Sequence, residues 1–289
     1  MIVITGATGA IGSEVVRQLA ARGAKVRAVS RNPEKVAVPA GVEVVRGDLA
    51  EPASMVAAMT GAEAAFLVGQ LGPEYLESDP ALVDAARAAG VRRIVKLSAI
   101  GTGEPGGAAV STWHVPGERA VRESGLTWTI LRPSGFASNS LGWAAEIRAG
   151  RPVPNLTGIG AQPWIDPRDI AAVAVEALLS DAHAGQTYTL TGPAGLNTHE
   201  QATVIGAALG RKLQVVDVPD EVAREHLLAA GRSPEFVEAA LEAQVMLRKT
   251  VDVTITDDVE KVLGRAPRTY AQWVADHIDA FRADSRSSR

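Results

Sequence analysis

A glycine-rich segment near the amino end has the residue types and spacing of a phosphate-binding loop. The residues TGATGAIG at 5–12 follow the apolar run MIVI and precede apolar residues at helical spacing. Glycines let the backbone turn tightly and approach a pyrophosphate, whose charge then lies at a helix N-terminus. The order of strand, loop and helix predicts dinucleotide binding; the alternative is a glycine-rich turn without a ligand. The contacts expected in this loop are Gly6, Thr8, Gly9, Ala10, Ile11 and Gly12.

The residues after the second predicted strand favour one dinucleotide over another. A carboxylate about twenty residues beyond the glycine loop would bind a ribose 2′-hydroxyl and select NAD. This strand instead ends in SRNPEK at 30–35. Arg31 can bind a 2′-phosphate in bidentate geometry, while Ser30 adds a hydroxyl and Lys35 a second charge. The sequence therefore favours NADP(H), and the alternative is that Arg31 and Lys35 are ordinary surface charges.

Further cofactor contacts are expected where later strands end. Asp48 can accept a hydrogen bond from the adenine amino group while Leu49 packs against the ring, although Asp48 also suits a simple turn. Val68 and Gly69 end the fourth strand, where a glycine lets the backbone pass close to the ribose. Ser98 ends the fifth strand, at the carboxyl edge where open α/β sheets bind ligands.

The first half of the chain alternates strands with helices, which predicts a parallel sheet covered on both faces. Asp79 and Pro80 are typical of an N-cap and a first-turn proline. The predicted strands are 2–5, 25–30, 42–46, 64–68, 93–97 and 127–131, and the predicted helices are 13–22, 52–59, 79–89 and 118–124.

The second half changes in rhythm. Residues 133–163 are rich in Gly, Pro, Ser and Asn and are expected to form part of a substrate wall. A helix at 169–179 and a strand at 186–191 return to the first domain, and helices follow at 198–209, 234–248 and 270–281. The helix that starts after Ser233 is either a core helix or a lid whose Met246 or Leu247 touches substrate. The tail at 284–289 is polar and is expected to fray.

These elements divide the chain into two expected units. Residues 1–132 form an NADP-binding Rossmann domain to which 164–191 return, and residues 133–163 and 192–289 form a substrate lobe and lid.

Composition narrows the class of protein. The 289 residues carry a net charge of −4 and 46 % hydrophobic residues, with no cysteine. We therefore expect no nucleic-acid partner, no disulfide and no thiolate catalysis. The first residues form a strand that joins the glycine loop, so no signal peptide is expected, and no apolar run reaches membrane-spanning length. A cytoplasmic protein, monomeric or homodimeric, is the expectation.

Several segments together resemble the atypical short-chain dehydrogenase/reductases, in particular the NmrA-like and NAD(P)H:quinone oxidoreductase-like branch. The resemblance implies a Rossmann-type doubly wound parallel sheet with a smaller, mostly helical C-terminal substrate lobe, and NADP(H) as cofactor. It also places the loop at 131–136 beside the nicotinamide, which implies that Pro133, Ser134 and Phe136 contact the cofactor. Besides the loops at 5–12 and 30–35, it rests on GDL at 47–49, VKLSAIG at 95–101, the run from 114 to 126, TWTILRPSGFASN at 127–139, TYTLTGP at 187–193 and LGRAPRTYAQWVADH at 263–277.

One departure from the wider superfamily limits the mechanism. Its Tyr-x-x-x-Lys pair is missing, because Tyr75, Tyr188 and Tyr270 are the only tyrosines and none begins that motif. A proton for a reduced carbonyl then comes from Ser98 through water, from His114, or from an acidic hydroxyl of the substrate itself. Alternatively, Ser98 only contacts the cofactor, and His114 caps its helix or pairs with Glu118.

Aromatic residues concentrate in the segments expected to line the cleft, which favours a flat substrate or a lobe core. Asp166 and Asp169 suggest a strand-to-helix junction rather than a metal site, and the histidines lack metal-ligand spacing. The sequence predicts an NADPH-dependent reductase of a quinone or an aromatic, polyketide-like ketone; the alternative is an NmrA-like NADP(H) sensor without turnover. The expected substrate contacts are Trp113, His114, Phe136, Asn139, Trp143 and Met246.

Overall fold

The computed structural model describes residues 1–250 and 252–283, so the predicted frayed tail at 284–289 lies outside the described residues. Seven parallel strands form the main sheet, and two short strands pair in parallel elsewhere. The main-sheet strands are β1 (Ile2–Ile4), β2 (Val26–Ser30), β3 (Glu43–Arg46), β4 (Ala64–Leu67), β5 (Arg93–Leu97), β6 (Thr127–Pro133) and β8 (Gln186–Leu190); the short pair is β7 (Val153–Asn155) and β9 (Val215–Asp217).

Eleven α-helices surround these strands in the described part of the chain. They are α1 (Gly12–Ala21), α2 (Pro52–Met59), α3 (Ser78–Ala88), α4 (Val115–Glu123), α5 (Ala144–Arg148), α6 (Pro167–Leu179), α7 (Thr198–Leu209), α8 (Asp220–Ala229), α9 (Pro234–Leu247), α10 (Asp258–Leu263) and α11 (Tyr270–His277). None of the described helices is long and apolar enough to cross a membrane.

The strand order identifies where a ligand site is expected. The sheet runs β3-β2-β1-β4-β5-β6-β8, so the winding direction reverses between β1 and β4. Loops that leave the two strands at such a reversal diverge and open a crevice beyond the carboxyl edge of the sheet. The glycine loop follows β1, and Val68 and Gly69 follow β4. The predicted Rossmann-type doubly wound sheet with a helical C-terminal region is confirmed.

The two faces of the sheet have separate apolar cores because alternate side chains of each strand point in opposite directions. Ile2 and Ile4 of β1 join the core that also contains residues of α1 and α6. Val3 joins the opposite core, with residues of α2 and α3. A strand covered on both faces is apolar along its whole length, which explains the MIVI run.

The C-terminal lobe has its own core. Ile147 of α5, Ile205 of α7 and Trp273 of α11 are buried together there. The helix α9 packs apart from this core, with Val237 and Leu241 against Ala223 of α8. The sequence missed α5, α8, α10 and the β7–β9 pair, which are all short. It missed α8 and α10 because their exposed faces dilute the apolar pattern.

One helix late in the chain, α10, packs against the main sheet. Val259 of α10 is buried in the core of the α1 face, and Asp258 accepts a hydrogen bond from the backbone N–H of Thr189 in β8 at 2.8 Å. The segment 192–289 therefore includes an element that supports the Rossmann sheet. The domain boundaries expected from the sequence stay a prediction.

Two helix starts differ from their sequence predictions in a way that matters for the site. The α4 helix begins at Val115 rather than near Glu118. Asp79 was predicted to be an N-cap, but it lies in the first turn of α3 and its side chain is buried. The strand-to-helix junction read at Asp166 and Asp169 is confirmed, with Asp166 as the N-cap of α6, and Ser233 is the N-cap of α9; their side chains accept hydrogen bonds from Arg168 N–H and Phe236 N–H.

Candidate functional site

The glycine loop holds its shape through contacts that only glycine permits. Gly6 has a φ of +61°, which is the left-handed region. A Cβ at Gly12 would lie 2.2 Å from the carbonyl oxygen of Gly6, so the start of α1 packs directly against the loop backbone. Thr5 ties the loop to β4, because its hydroxyl accepts a hydrogen bond from Val68 N–H at 2.7 Å. The glycine loop is therefore fixed against the end of β4, the strand that neighbours β1 where the winding direction of the sheet reverses.

A cavity of about 380 Å³, called here the first cavity, lies beside this loop. It combines the loop with the ends of β2, β3 and β4. Nine of the predicted cofactor residues line it: Gly6, Thr8, Ser30, Arg31, Lys35, Asp48, Leu49, Val68 and Gly69.

Four other loop residues predicted to contact the cofactor lie outside this lining. Gly9, Ala10, Ile11 and Gly12 are not part of the lining. The side chain of Ile11 is buried in the sheet core, and Ile11 stands at the N-cap position of α1. The first N–H groups of a helix have no partner within it and carry partial positive charge, which suits an anion.

The far end of the first cavity carries positive charge. Arg31 and Lys35 are exposed, and no carboxylate among the described residues forms an ion pair with either. Glu34 is exposed and lies outside the lining. Asp48 accepts a hydrogen bond from Ala50 N–H at 3.1 Å through Oδ1, as in a turn, while its side chain still lines the cavity. The donor set at Ser30, Arg31 and Lys35 fits a 2′-phosphate.

A second cavity, of about 640 Å³, meets the first at Val68 and Gly69. Five separate segments supply its walls: the segment after β4, the end of β5, the turn before α4, the loop after β6, and α9. Its lining residues are Val68, Gly69, Leu71, Leu97, Ser98, Ala99, Ile100, Val110, Ser111, Trp113, His114, Pro133, Ser134, Gly135, Phe136, Asn139, Phe236, Ala240 and Ala243.

The second cavity gathers most of the remaining predicted residues. Four residues predicted to contact the cofactor line it, namely Ser98, Pro133, Ser134 and Phe136. Three predicted substrate contacts also line it, namely Trp113, His114 and Asn139.

Two predicted substrate residues are not brought to this cavity. Trp143 is half-buried against the core of the C-terminal lobe. Met246 is exposed near the end of α9, beyond the part of the helix that faces the cavity. Trp164, another aromatic in the segment read as cleft wall, packs behind Gly135 and donates to Leu196 O at 2.8 Å. Met246 lies outside the cavity lining because the helical turn that carries it extends past the cavity.

The helix α9 covers the second cavity and also serves as a packing element. Phe236, Ala240 and Ala243 recur at helical spacing and face the cavity. The ring of Phe236 lies 5.1 Å from that of Trp113, measured between centroids. The opposite side of α9 packs on α8. The helix is thus packed, as one of the two alternatives expected, and its inner face lines the cavity through residues other than Met246 and Leu247.

Ser98 is held by a buried carboxylate. Its Oγ donates to Glu118 Oε1 at 2.6 Å, and the same carboxylate receives two hydrogen bonds from Arg132, at 2.8 and 2.7 Å. Arg122 also pairs with Glu118, at 2.9 Å. Burial raises the pKa of Glu118, but the hydrogen bonds from Arg132 and Ser98 outweigh it and lower the pKa overall. The carboxylate is therefore ionised, and the single hydroxyl proton of Ser98 is engaged with it.

A second buried carboxylate lies behind His114. Asp79 Oδ2 is 2.6 Å from Lys96 Nζ and 3.6 Å from His114 Nδ1. Desolvation raises the pKa of Asp79, but the charge of Lys96 and the imidazole of His114 close by lower it overall. His114 thus faces Asp79, whereas the sequence offered Glu118 as its partner.

Sequence reasoning missed Asp79, Lys96 and Arg132 as parts of the site. A lysine inside the apolar strand RIVKL was the available signal, because a fully buried lysine requires a partner. The partner lies on another helix, and the sequence does not show that pairing. In the described part of the chain, no group of three or more His, Asp or Glu side chains could hold a metal ion.

Comparison with known proteins agrees with this geometry. A family described as NAD(P)H-binding matches residues 6–181. The (4-alkanoyl-5-oxo-2,5-dihydrofuran-3-yl)methyl phosphate reductase of Streptomyces griseus subsp. griseus is 39 % identical over 97 % of this chain and 99 % of its own. The NAD(P)H azoreductase of Xenophilus azovorans is 35 % identical over 98 % and 100 %.

A solved structure shows the same fold over nearly the whole chain. The triphenylmethane reductase of Citrobacter sp., in complex with NADP(H), superimposes with a TM-score of 0.78 and 25 % identity. The match covers 96 % of this chain and 100 % of that one.

Proposed function

The chain belongs to the NAD(P)H-binding family, and from this premise we propose that it is an NADPH-dependent reductase of a quinone or an aromatic, polyketide-like ketone. The resemblance to the NmrA-like and quinone oxidoreductase-like branch is confirmed by its relatives. The observation that carries the proposal is the meeting of two cavities at Val68 and Gly69. One cavity has the donors for a dinucleotide, and the other has room and an apolar wall for a flat molecule.

The first cavity would hold the cofactor along its length. The loop at 5–12 and the start of α1 would bind the pyrophosphate, and Arg31 with Ser30 and Lys35 would bind the 2′-phosphate. Asp48 and Leu49 would hold the adenine. The cofactor would pass Val68 and Gly69 and extend into the second cavity. There it would contact Ser98, Pro133, Ser134 and Phe136. NADPH supplies the hydride when bound, and the protein positions it.

The second cavity suits a neutral, flat substrate. Trp113, Phe136 and Phe236 offer aromatic faces, and the polar groups are three hydroxyls, an amide and an imidazole. One relative is named as an azoreductase, and another is named for a substrate that bears a phosphate group. This lining favours an uncharged aromatic substrate over a phosphate ester.

His114 is the group we assign to proton delivery. It lines the second cavity, and imidazole exchanges protons near neutral pH. Ser98 donates its only proton to Glu118, so it would accept a hydrogen bond from a substrate or cofactor group rather than give one. Ser98 therefore serves to position the ligand, while its hydroxyl is held by Glu118. A quinone needs less help, because its reduced oxygens are weakly basic.

The test combines turnover with binding. With NADPH and a panel of a naphthoquinone, an azo dye and a polycyclic ketone, we expect cofactor oxidation with at least one. His114→Gln should lower kcat for the ketone by roughly 10²–10⁴-fold and leave NADPH affinity unchanged. Ser98→Ala is the matched control in the same cavity, and its loss of kcat should be much smaller.

One result would replace the proposal by its alternative. Tight binding of both NADPH and NADP⁺ with no oxidation of any panel member would indicate an NADP(H) sensor without turnover. A cytoplasmic location and a monomeric or homodimeric state belong to the same proposal. Cell fractionation and light scattering of the purified protein test these two points.

A further inference from the structure

A buried pair of opposite charges lies directly behind the second cavity. Lys96 in the middle of the sheet is fully buried, and its Nζ contacts Asp79 Oδ2 and Leu97 O, both at 2.6 Å. Burying two charges is costly even when they pair, so such a pair is weak evidence for stability alone. A role in the neighbouring site would account for its presence.

The carboxylate of Asp79 connects three elements. Its Oδ1 accepts a hydrogen bond from Gly69 N–H at 3.0 Å, at the junction of the two cavities. Its Oδ2 lies between Lys96 Nζ and His114 Nδ1, at 2.6 and 3.6 Å. The imidazole therefore has one nitrogen toward a fixed negative group, which leaves Nε2 as the nitrogen available to the cavity.

The first turn of α4 packs closely against this pair. A Cβ at Gly117 would lie 2.5 Å from Asp79 Cβ and 2.8 Å from Lys96 Cε, so the pair is approached there by glycine. Asp79 is therefore enclosed by α4 on one side and bound to Lys96 and Gly69 N–H on others.

We propose that Asp79, anchored by Lys96 and Gly69, is a positioning residue that holds His114 with Nδ1–H toward the carboxylate and Nε2 toward the substrate. The inference rests on the proposed function for its catalytic meaning. In the proton step the Nε2–H bond breaks, an O–H bond forms on the substrate oxygen, and a neutral imidazole remains with Nδ1–H facing Asp79. Water then returns the proton to Nε2.

The charges that face this imidazole come from three elements. Asp79 approaches from α3, and Lys96 from β5 lies on the far side of the same carboxylate. Glu118 on α4 is held by Arg132, Arg122 and Ser98. A nearby negative charge favours the protonated imidazole and a nearby positive charge disfavours it. Removing Asp79 or Lys96 should therefore move the titration of His114 in opposite directions.

The experiment follows the imidazole directly by NMR in the full chain. His114 is assigned by the signal that disappears in His114→Gln, and its titration midpoint is measured in Asp79→Asn, Lys96→Met and the double variant. We expect the midpoint to fall in Asp79→Asn and to rise in Lys96→Met. Asp84→Asn, on the exposed side of α3, is the matched control and should leave the midpoint unchanged.

The double variant keeps the test readable if a single variant fails to fold. It removes both charges together, so it leaves no unpaired buried ion, and it should fold while still showing a lower midpoint than the wild-type protein. The alkaline limb of kcat for a ketone should shift to lower pH in the same variant. Unchanged midpoints in folded variants would overturn the proposal. This titration needs no turnover, so loss of the proposed function would leave it readable.

Discussion

The two cavities are built in different ways, and the difference explains how each could be recognised. The first cavity is centred on the glycine loop, where a Cβ at Gly12 would collide with the backbone of Gly6, and the ends of β2, β3 and β4 complete it. The second cavity is lined mostly by apolar side chains from five separate segments, and the last of these, on α9, lies far beyond the others in the chain. A site that binds its ligand through a tightly packed backbone loses affinity sharply when a side chain is added there. A wall of apolar side chains loses affinity more gradually when one of them is replaced.

A backbone clash in the first cavity should produce the largest effect. In Gly12→Ala the new Cβ would meet the carbonyl oxygen of Gly6 at 2.2 Å, so the loop and the start of α1 must separate. Strain of about 3 kcal/mol corresponds to a loss of NADPH affinity of roughly 100-fold. Isothermal calorimetry measures it.

The matched control for this variant lies in the lobe. Gly142→Ala adds the same atom where nothing lies within 4 Å, and it should leave cofactor binding unchanged. Equal affinity of Gly12→Ala and the wild-type protein would remove the loop backbone from the site.

Removing positive charge at the far end of the first cavity should have the second-largest effect on cofactor affinity. Arg31→Ala removes a charge-assisted hydrogen bond to a 2′-phosphate, worth about 1.5–3 kcal/mol, so NADPH affinity should fall by roughly 10- to 100-fold. NADH affinity should hardly change, because NADH has no 2′-phosphate. Competitive binding assays with both nucleotides provide the comparison.

Another exposed arginine at a strand end controls for general charge effects. Arg46, at the end of β3, pairs with Glu51, and Arg46→Ala should affect neither nucleotide. A parallel loss of NADPH and NADH affinity in Arg31→Ala would contradict the assignment of the 2′-phosphate site.

Substitution in the second cavity should act more gently. Phe236→Ala removes a ring that pairs with Trp113 over the cavity. An aromatic pair contributes about 0.5–1.5 kcal/mol beyond its buried area, so KM for a flat substrate should rise by roughly 10-fold at most. Cofactor affinity should not change.

Steady-state kinetics with a quinone series measures this effect. Val245→Ala trims an exposed side chain of the same helix, outside the lining, and provides the control. If Phe236→Ala raised KM no more than Val245→Ala, α9 would not form a wall of the substrate site.

The smallest predicted effect is on stability in acid. The pKa values of Asp79 and Glu118 are lowered in the folded protein, so their contribution is present above their unfolded pKa of about 4 and is lost as the pH falls below it. Thermal unfolding at pH 7 and pH 3 should show this loss. In the double variant Asp79→Asn/Lys96→Met the drop in Tm between the two pH values should be smaller by roughly 2–4 °C. An identical drop would mean that the pair carries no pH-linked stability.

The sequence predicted the first half of the fold and the first cavity well, for a physical reason. A strand, a glycine loop and a helix are consecutive, and the ends of parallel strands must meet at one edge, so nine lining residues followed from local pattern alone. The Arg31 segment is informative for the same reason, because its place is set by the strand before it.

The second cavity was only partly predictable because it depends on distant packing. His114 was found, but its partner Asp79 was taken for a helix cap, since an Asp-Pro pair suits a cap and nothing local shows Lys96 behind it. Trp143 was taken for a cleft residue and packs with the core of the lobe. The helices α8 and α10 escaped because each has a single buried residue, so their exposed faces dilute the apolar pattern.

We expect the nicotinamide of NADPH to lie in the second cavity beside Pro133, Ser134 and Phe136, with the substrate next to it. A crystal structure of the protein with NADP⁺ and a soaked naphthoquinone would reveal this arrangement. The 2′-phosphate should lie against Arg31, and a quinone oxygen should face His114. A nicotinamide bound away from Pro133, Ser134 and Phe136, or a quinone bound outside the second cavity, would overturn it.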